Sequence, residues 1–160
     1  MTGNEWRTPP ELFDQLTTWF VLDYDAAATH DNALCKTYST IDGTFEDIYG
    51  NAKPGSYRAR LSNNDGLSEP WAGRRVWINP PYARGEIGRW MAKCYSERNE
   101  AAIIVAIVKH DPSTLWWQRN IGLNDEHAIV LPLPRRVRFS GAKAGANFAS
   151  AIVVWRKDIA

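Results

Sequence analysis

Residues Ala101 to Val108 are apolar at every position, reading Ala-Ala-Ile-Ile-Val-Ala-Ile-Val. A strand with no wet side has to be covered on both faces, which happens in the middle of a mainly parallel sheet with helices above and below. The chain around it supplies the other parts of such a layered structure. Arg75 to Asn79 is a strand that runs into Pro80, Pro81 and Tyr82, and His127 to Leu131 is another. Arg136 to Phe139 and Phe148 to Trp155 read as a closing pair of strands around a Gly-rich loop. Ile87, Trp90, Met91 and Cys94 share one face of a helix, and a shorter helix starts near Ser113 within Asp111 to Asn120. Strands alternating with helices predict the α/β class, with a mixed, mostly parallel sheet between helical layers.

The N-terminal part is less regular. Thr8-Pro9-Pro10-Glu11 has the pattern of a capping box with prolines in the first turn. Leu12, Phe13, Leu16, Trp19 and Phe20 follow at helical spacing on one face. Val21 to Asp25 is a short strand ending on an acid, and Ala26 to Tyr38 reads as a turn into a short helix. From Thr40 to Pro70 periodicity gives way to Gly, Asn, Asp and Ser. A loop of that length is usually functional, and it has room for a short strand at Tyr57 to Leu61. There is no internal repeat, and residues 1–160 read as a single domain.

Composition narrows the function. The net charge of +1 provides no global field for nucleic acid, so any such contact needs local basic clusters. Eight tryptophans are more than a core of this size needs and suit a protein that handles flat bases. Cys35 and Cys94 with His30, His110 and His127 form no metal-ligand spacing, so no metal is expected and both thiols read as reduced. No signal-peptide pattern and no membrane-length apolar run occurs, which predicts a cytoplasmic protein with no membrane partner. The G-x-S-x-G, H-E-x-x-H and P-loop motifs are absent, which argues against a hydrolase or metalloenzyme.

The most specific motif is Asn79-Pro80-Pro81-Tyr82. It follows a buried strand, and ligands in open α/β sheets bind beyond the carboxyl ends of strands. An exocyclic amine on an aromatic ring is a poor nucleophile because its lone pair is delocalised. Two acceptors placed on its N–H groups help it pyramidalise. The side-chain carbonyl of Asn79 supplies one, and the backbone carbonyl of Pro80 the other, in a turn stiffened by two fixed φ angles. Tyr82 offers a flat face to a base taken out of the duplex. The competing reading is a plain Pro-Pro turn.

The motif looks like the catalytic motif of amino-methyltransferases. The chain as a whole resembles the small phage-type DNA N6-adenine methyltransferases of the Dam family. The matching stretches are Glu5 to Phe13, Leu22 to Ala28, Asn32 to Cys35, Trp71 to Tyr82 and Phe148 to Trp155. The resemblance implies a Rossmann-like fold, S-adenosylmethionine as methyl donor, double-stranded DNA as partner, and work in a bacterial host's cytoplasm on a site-specific adenine. It places the methionine end of the cofactor near Thr8, Pro9 and Asp25. Asp25 could accept hydrogen bonds from an ammonium group or cap a helix, and Ala26, Ala27 and Ala28 leave the backbone open to close approach. They stand where most such enzymes carry a Gly-rich turn. Asp65, or Asn63 beside it, is a candidate for the adenosine part, although a loop acid can equally be simply solvated.

Arg135, Arg136, Arg138 and Lys143 cluster near the C-terminus, while Arg84 and Arg89 flank the catalytic turn. They are candidate phosphate contacts, or else a solvated face. Lys109 and His110 depart from the family pattern. A general base is not needed before an amine attacks, so His110 reads better as a wall of the base pocket or a phosphate contact. Two other functions remain open. One is a methyltransferase acting on RNA or on a protein amide nitrogen, although such enzymes usually carry the Gly-rich turn. The other is a catalytically silent nucleic-acid-binding module.

Overall fold

The computed structural model describes residues 6–29, 31–35, 37–40, 60–61, 65–123 and 126–157. In chain order the elements are α1 (Pro10–Phe20), β1 (Tyr24–Ala28), β2 (Thr37–Thr40), β3 (Arg60–Leu61), β4 (Arg75–Ile78), α2 (Glu86–Glu97), β5 (Ile103–Lys109), α3 (Leu115–Asn120), β6 (Ile129–Pro132) and β7 (Ser150–Trp155). They form an α/β structure around one seven-stranded sheet with the order β3-β2-β1-β4-β5-β7-β6. The first five strands in that order pair in parallel, and β7 is antiparallel to both β5 and β6.

The apolar run becomes β5, buried from Ile103 to Val108 and flanked by β4 and β7. β7 is buried along its whole length as well. Helix α1 lays Phe13 edge-on against Trp77 of β4, with ring centroids 5.4 Å apart. Helix α2 turns Ile87, Trp90, Met91 and Cys94 inward, the face its spacing predicts. β1, β2 and β3 step outward on one side of β1, and the chain then returns to place β4 on its other side. The strand order therefore reverses between β1 and β4, the kind of crevice in which doubly wound Rossmann-like sheets hold ligands.

Four expectations need correction. The Thr8–Glu11 capping box does not form: α1 starts at Pro10, Pro9 occupies the N-cap without a side-chain bond, and Thr8 turns its hydroxyl to Asn79. Trp19 lies off the core face and is 70% exposed. The first strand begins three residues later than Val21, because Val21 sits at φ 51° and ends α1 by donating its amide to the Thr17 carbonyl. Arg75 caps the same helix end, its guanidinium donating to the carbonyls of Phe20 and Val21. Among the described residues of 26–38 there is no helix, since Ala26–Ala28 and Thr37–Tyr38 are taken by strands.

The closing hairpin is also different. Arg136 to Phe139 is not a strand, and β6 is the partner of β7. Tyr57 and Asn63 lie outside the described residues, although β3 falls at the end of the expected Tyr57–Leu61 strand.

Candidate active site

A cavity of about 460 Å³ opens at the β1/β4 reversal, within the size range of small-molecule sites. Its walls come from four places. Trp6, Arg7 and Thr8 precede α1; Asp25, Ala27, Thr29, Asp31, Asn32 and Leu34 belong to β1 and the connection after it. Trp77, Asn79, Pro80, Pro81 and Ala83 belong to β4 and its exit, and Ser140 comes from the loop before β7.

Asn79 is the centre of the polar wall. Its Nδ2 donates to the Trp6 carbonyl and, at 3.0 Å, to the Thr8 hydroxyl. A carbonyl can only accept, so this pairing fixes which end of the amide is nitrogen. The consequence falls on the other end: Asn79 Oδ1 is buried and has no hydrogen-bond partner among the described residues. Buried acceptors are normally satisfied, and an exception calls for an explanation. Here the atom belongs to a residue that lines the cavity, beside Pro80 and Pro81 in their rigid turn.

Trp6, Arg7 and Thr8, which precede the N-cap Pro9 of α1, form a strap. Arg7 makes an isolated β-bridge with Ser140, whose amide donates to the Arg7 carbonyl at 2.8 Å. The Ser140 hydroxyl reaches the Thr8 carbonyl at 3.4 Å. The Trp6 ring packs edge-on against Phe139 and Phe148, at 5.5 and 5.3 Å between centroids. Arg7 also pairs with Asp31 at 2.9 Å. The Thr29 hydroxyl and then Arg7 hold the Asp31 carboxyl below its ordinary pKa.

Asp25 is the second notable group. It is the second residue of β1, 4% exposed, where the pairing with β2 is irregular. Burial pushes its pKa up to about 7, against the backbone amides of Leu34 and Ala27, which donate to its two oxygens and favour the charged form. A carboxylate that is costly to ionise, placed on a cavity wall, is a candidate for a cationic ligand. With Asp31 and Arg7 it makes the wall carry one net negative charge when ionised.

A family comparison decides the reading of this geometry. Residues 49–159 match the family model described as DNA N-6-adenine-methyltransferase (Dam). The chain belongs to the Dam family. It is therefore a DNA N6-adenine methyltransferase by family, which settles the choice against an RNA or protein acceptor and against a silent module. No curated protein matches. Among solved structures, yhhF from Escherichia coli, a provisionally named methyltransferase, is similar at 14% identity and a TM-score of 0.48, over 98% of this chain and 97% of that one.

Within this Dam-family chain, the expected site residues divide. Asn79, Pro80, Pro81, Thr8 and Asp25 come together on the cavity. Tyr82 does not line it: burial pushes its phenol pKa up, its hydroxyl donates to the Ile107 carbonyl at 3.0 Å, and its ring meets Phe148 and Phe139 edge-on. That ring is a packed support of the turn after β4, not an open stacking face. Pro9 is the N-cap of α1 and stands off the lining. Ala26 is fully buried in the core, and its neighbour Ala27 takes the place on the wall.

Asp65 caps its own turn, accepting from the amides of Leu67 and Ser68 and from the Ser68 hydroxyl. Its slight burial works to raise its pKa, but those bonds outweigh it and hold the carboxyl low. It does not line the cavity. His110 packs on Trp117 at 5.3 Å between ring centroids and also stays off the lining. Lys109 Nζ lies 4.8 Å from the Phe148 ring centroid and 5.6 Å from that of Tyr82, a cation over the aromatic support. Arg84, Arg135, Arg136, Arg138 and Lys143 are all exposed.

Sequence reasoning missed Arg7, Asp31 and Ser140, which close the cavity. Arg7 lay within a stretch that resembled the family, but nothing local ties it to an acid 24 residues on. Ser140 sits beside Gly141 in the Gly-rich loop, which was the only cue.

Proposed function

We propose that this cavity receives S-adenosylmethionine together with an adenine turned out of double-stranded DNA, and that Asn79 and Pro80 hold the adenine N6 amine for methylation. The observation that carries the reading is the buried, unpartnered carbonyl of Asn79. It is an acceptor already desolvated and left without a partner, in a residue that lines the cavity. The residues present also fit the cofactor. Its ammonium and sulfonium against its carboxylate leave one net positive charge, which complements the wall formed by Asp25, Asp31 and Arg7.

When bound, S-adenosylmethionine supplies an electrophilic methyl group. The protein's part is to place and polarise. Asn79 Oδ1 and the Pro80 carbonyl each accept one N–H of the amine, drawing its lone pair out of conjugation with the ring. Pro80 and Pro81 keep the two acceptors at fixed separation. No general base is required before attack, since the methylated amine is acidic enough to release its proton afterwards. Asp25 accepts from the cofactor's ammonium group, and Thr8 stands at the boundary between cofactor and amine. Exposed Arg135, Arg136, Arg138 and Lys143, with Arg84 beside the catalytic turn, meet phosphates and set the register of the duplex.

The test is methyl transfer from isotopically labelled S-adenosylmethionine to unmethylated duplex DNA, followed by digestion and mass spectrometry of the nucleosides. Labelled N6-methyladenine is expected from the wild type. Asn79→Ala is expected to lose turnover by a factor on the order of a hundred or more, with cofactor binding kept. Full activity in Asn79→Ala would overturn the role given to its carbonyl, and label in another nucleoside would overturn the choice of acceptor.

A further inference from the structure

We infer that Thr8 is a positioning residue that holds the Asn79 side-chain amide in the orientation dictated by the Trp6 carbonyl, which leaves the amide oxygen for the substrate. The inference rests on the proposed role of the Asn79 carbonyl, and it gives Thr8 a task apart from the cofactor contact.

An asparagine amide has two ends of nearly equal shape, and only one of them can accept from an amine. The pairing on the far side decides which end faces the cavity. Two acceptors meet Asn79 Nδ2 there: the main-chain carbonyl of Trp6 and the Thr8 hydroxyl oxygen. If the amide turned over, Oδ1 would face the Trp6 carbonyl, oxygen against oxygen, so that carbonyl fixes the choice of end; the Thr8 hydroxyl, able to pair with either end, adds the second bond that holds the amide in place. The protein must prevent that turn by at least the margin catalysis needs.

Thr8 is well held for the purpose. It is 7% exposed, and the residue before a proline is confined to extended backbone, here by Pro9. The Ser140 hydroxyl donates to its carbonyl, and the Arg7–Ser140 bridge fixes the strap one residue earlier.

The test compares Thr8→Val, which keeps the shape and removes the acceptor, with Thr8→Ser, which keeps the acceptor. Loss of one of the two bonds on Nδ2 is expected to lower kcat roughly three- to tenfold. The dissociation constant for S-adenosylmethionine, measured calorimetrically without DNA, is expected to move less than about twofold, and Thr8→Ser is expected to recover most of the lost rate. A Thr8→Val variant with normal kcat and weakened cofactor binding would overturn the inference, making Thr8 a cofactor contact alone.

Should Thr8→Val fail to fold, the wild type decides on its own. In protein with ¹⁵N-labelled asparagine, the Asn79 amide protons are expected to be protected from exchange and to show a contact with the Thr8 side chain. Rapid exchange would count against the inference. Failure of the underlying reading looks different, because an active Asn79→Ala enzyme removes the role of the carbonyl. A dead Asn79→Ala enzyme with a normal Thr8→Val enzyme removes only the role of Thr8.

Discussion

Replacing Asp25 by asparagine should change how the ligand-free protein responds to pH, in a direction and amount that follow from its surroundings. The wild-type carboxyl titrates near pH 7 in the folded state, against an ordinary value of 3.8. That gap corresponds to about 4 kcal/mol, the order of magnitude of the cost of keeping Asp25 ionised in the empty site. The folded state holds the proton more tightly than the unfolded chain. Stability from this group is therefore complete below about pH 4, falls by about 1.4 kcal/mol per pH unit up to about pH 7, and is then lost.

An asparagine side chain cannot ionise, so that fall is absent from the variant. The variant carries a different cost. The two oxygens of Asp25 each accept from one backbone amide, of Leu34 and of Ala27, and an amide side chain leaves one of these facing an NH₂ group, at about 1–3 kcal/mol at every pH. Asp25→Asn is thus expected to be the less stable protein at about pH 5. Between about pH 5 and pH 8 the difference should move by about 3 kcal/mol in the variant's favour. Urea titrations of both ligand-free proteins across that range measure it. Titration calorimetry at about pH 6 adds a check, since binding S-adenosylmethionine to the wild type should release close to one proton, and to the variant none. Parallel stability curves would refute the argument that the site holds a strained acid.

Other perturbations test separate parts of the structure. Gly66→Ala would put a Cβ 1.7 Å from the Ala26 carbonyl oxygen and 2.9 Å from the Trp90 ring, so the β1 backbone must move. A loss of about 3 kcal/mol or more in thermal or urea unfolding is expected. Tyr82→Phe keeps the packing on Phe139 and Phe148 but removes the bond to the Ile107 carbonyl. It should cost about 1 kcal/mol of stability and leave kcat within a few-fold, whereas a large loss of kcat at unchanged stability would give the hydroxyl a direct part in the reaction. Arg135→Ala with Arg136→Ala should flatten the dependence of log affinity for DNA on log salt by about 1 per lost phosphate contact, and an unchanged slope would move the DNA elsewhere.

What was legible in the chain, and what was not, follows the range of the interactions involved. The β5 run could be read because burial on both faces leaves its mark on every residue of the strand. Asn79-Pro80-Pro81-Tyr82 could be placed because β4 runs straight into it. Thr8 was legible as a helix cap, which is a local bond, and through the resemblance as a cofactor contact, while its observed partner Asn79 lies 71 positions away. Tyr82 was read as an open stacking face because its neighbours in sequence are turn residues. The rings that cover it, Phe139 and Phe148, arrive from the loop before β7. The acid at position 25 was noticed for its place near a strand end, but its raised pKa comes from burial in the folded chain, which the Leu34 amide, brought back from nine residues on, only partly offsets.

The same cavity carries two costs to stability, an unpaired acceptor at Asn79 and a reluctant acid at Asp25. Neither helps the empty protein. Each is imposed by neighbours that could have been satisfied otherwise: rotating the Asn79 amide would move its oxygen away from the cavity but is opposed by the strap, and admitting water to Asp25 would lower its pKa but is opposed by the connection that follows β1. The two costs flank the chain reversal, one on β1 and the other at the exit of the adjacent parallel strand β4, where a cation and an amine would each relieve one of them. Stability withheld at a site is returned when the right ligand binds. An unpaired acceptor and a strained acid within one crevice are therefore a stronger indication of a cationic methyl donor next to an aromatic amine than the fold around them, since the fold alone serves many chemistries.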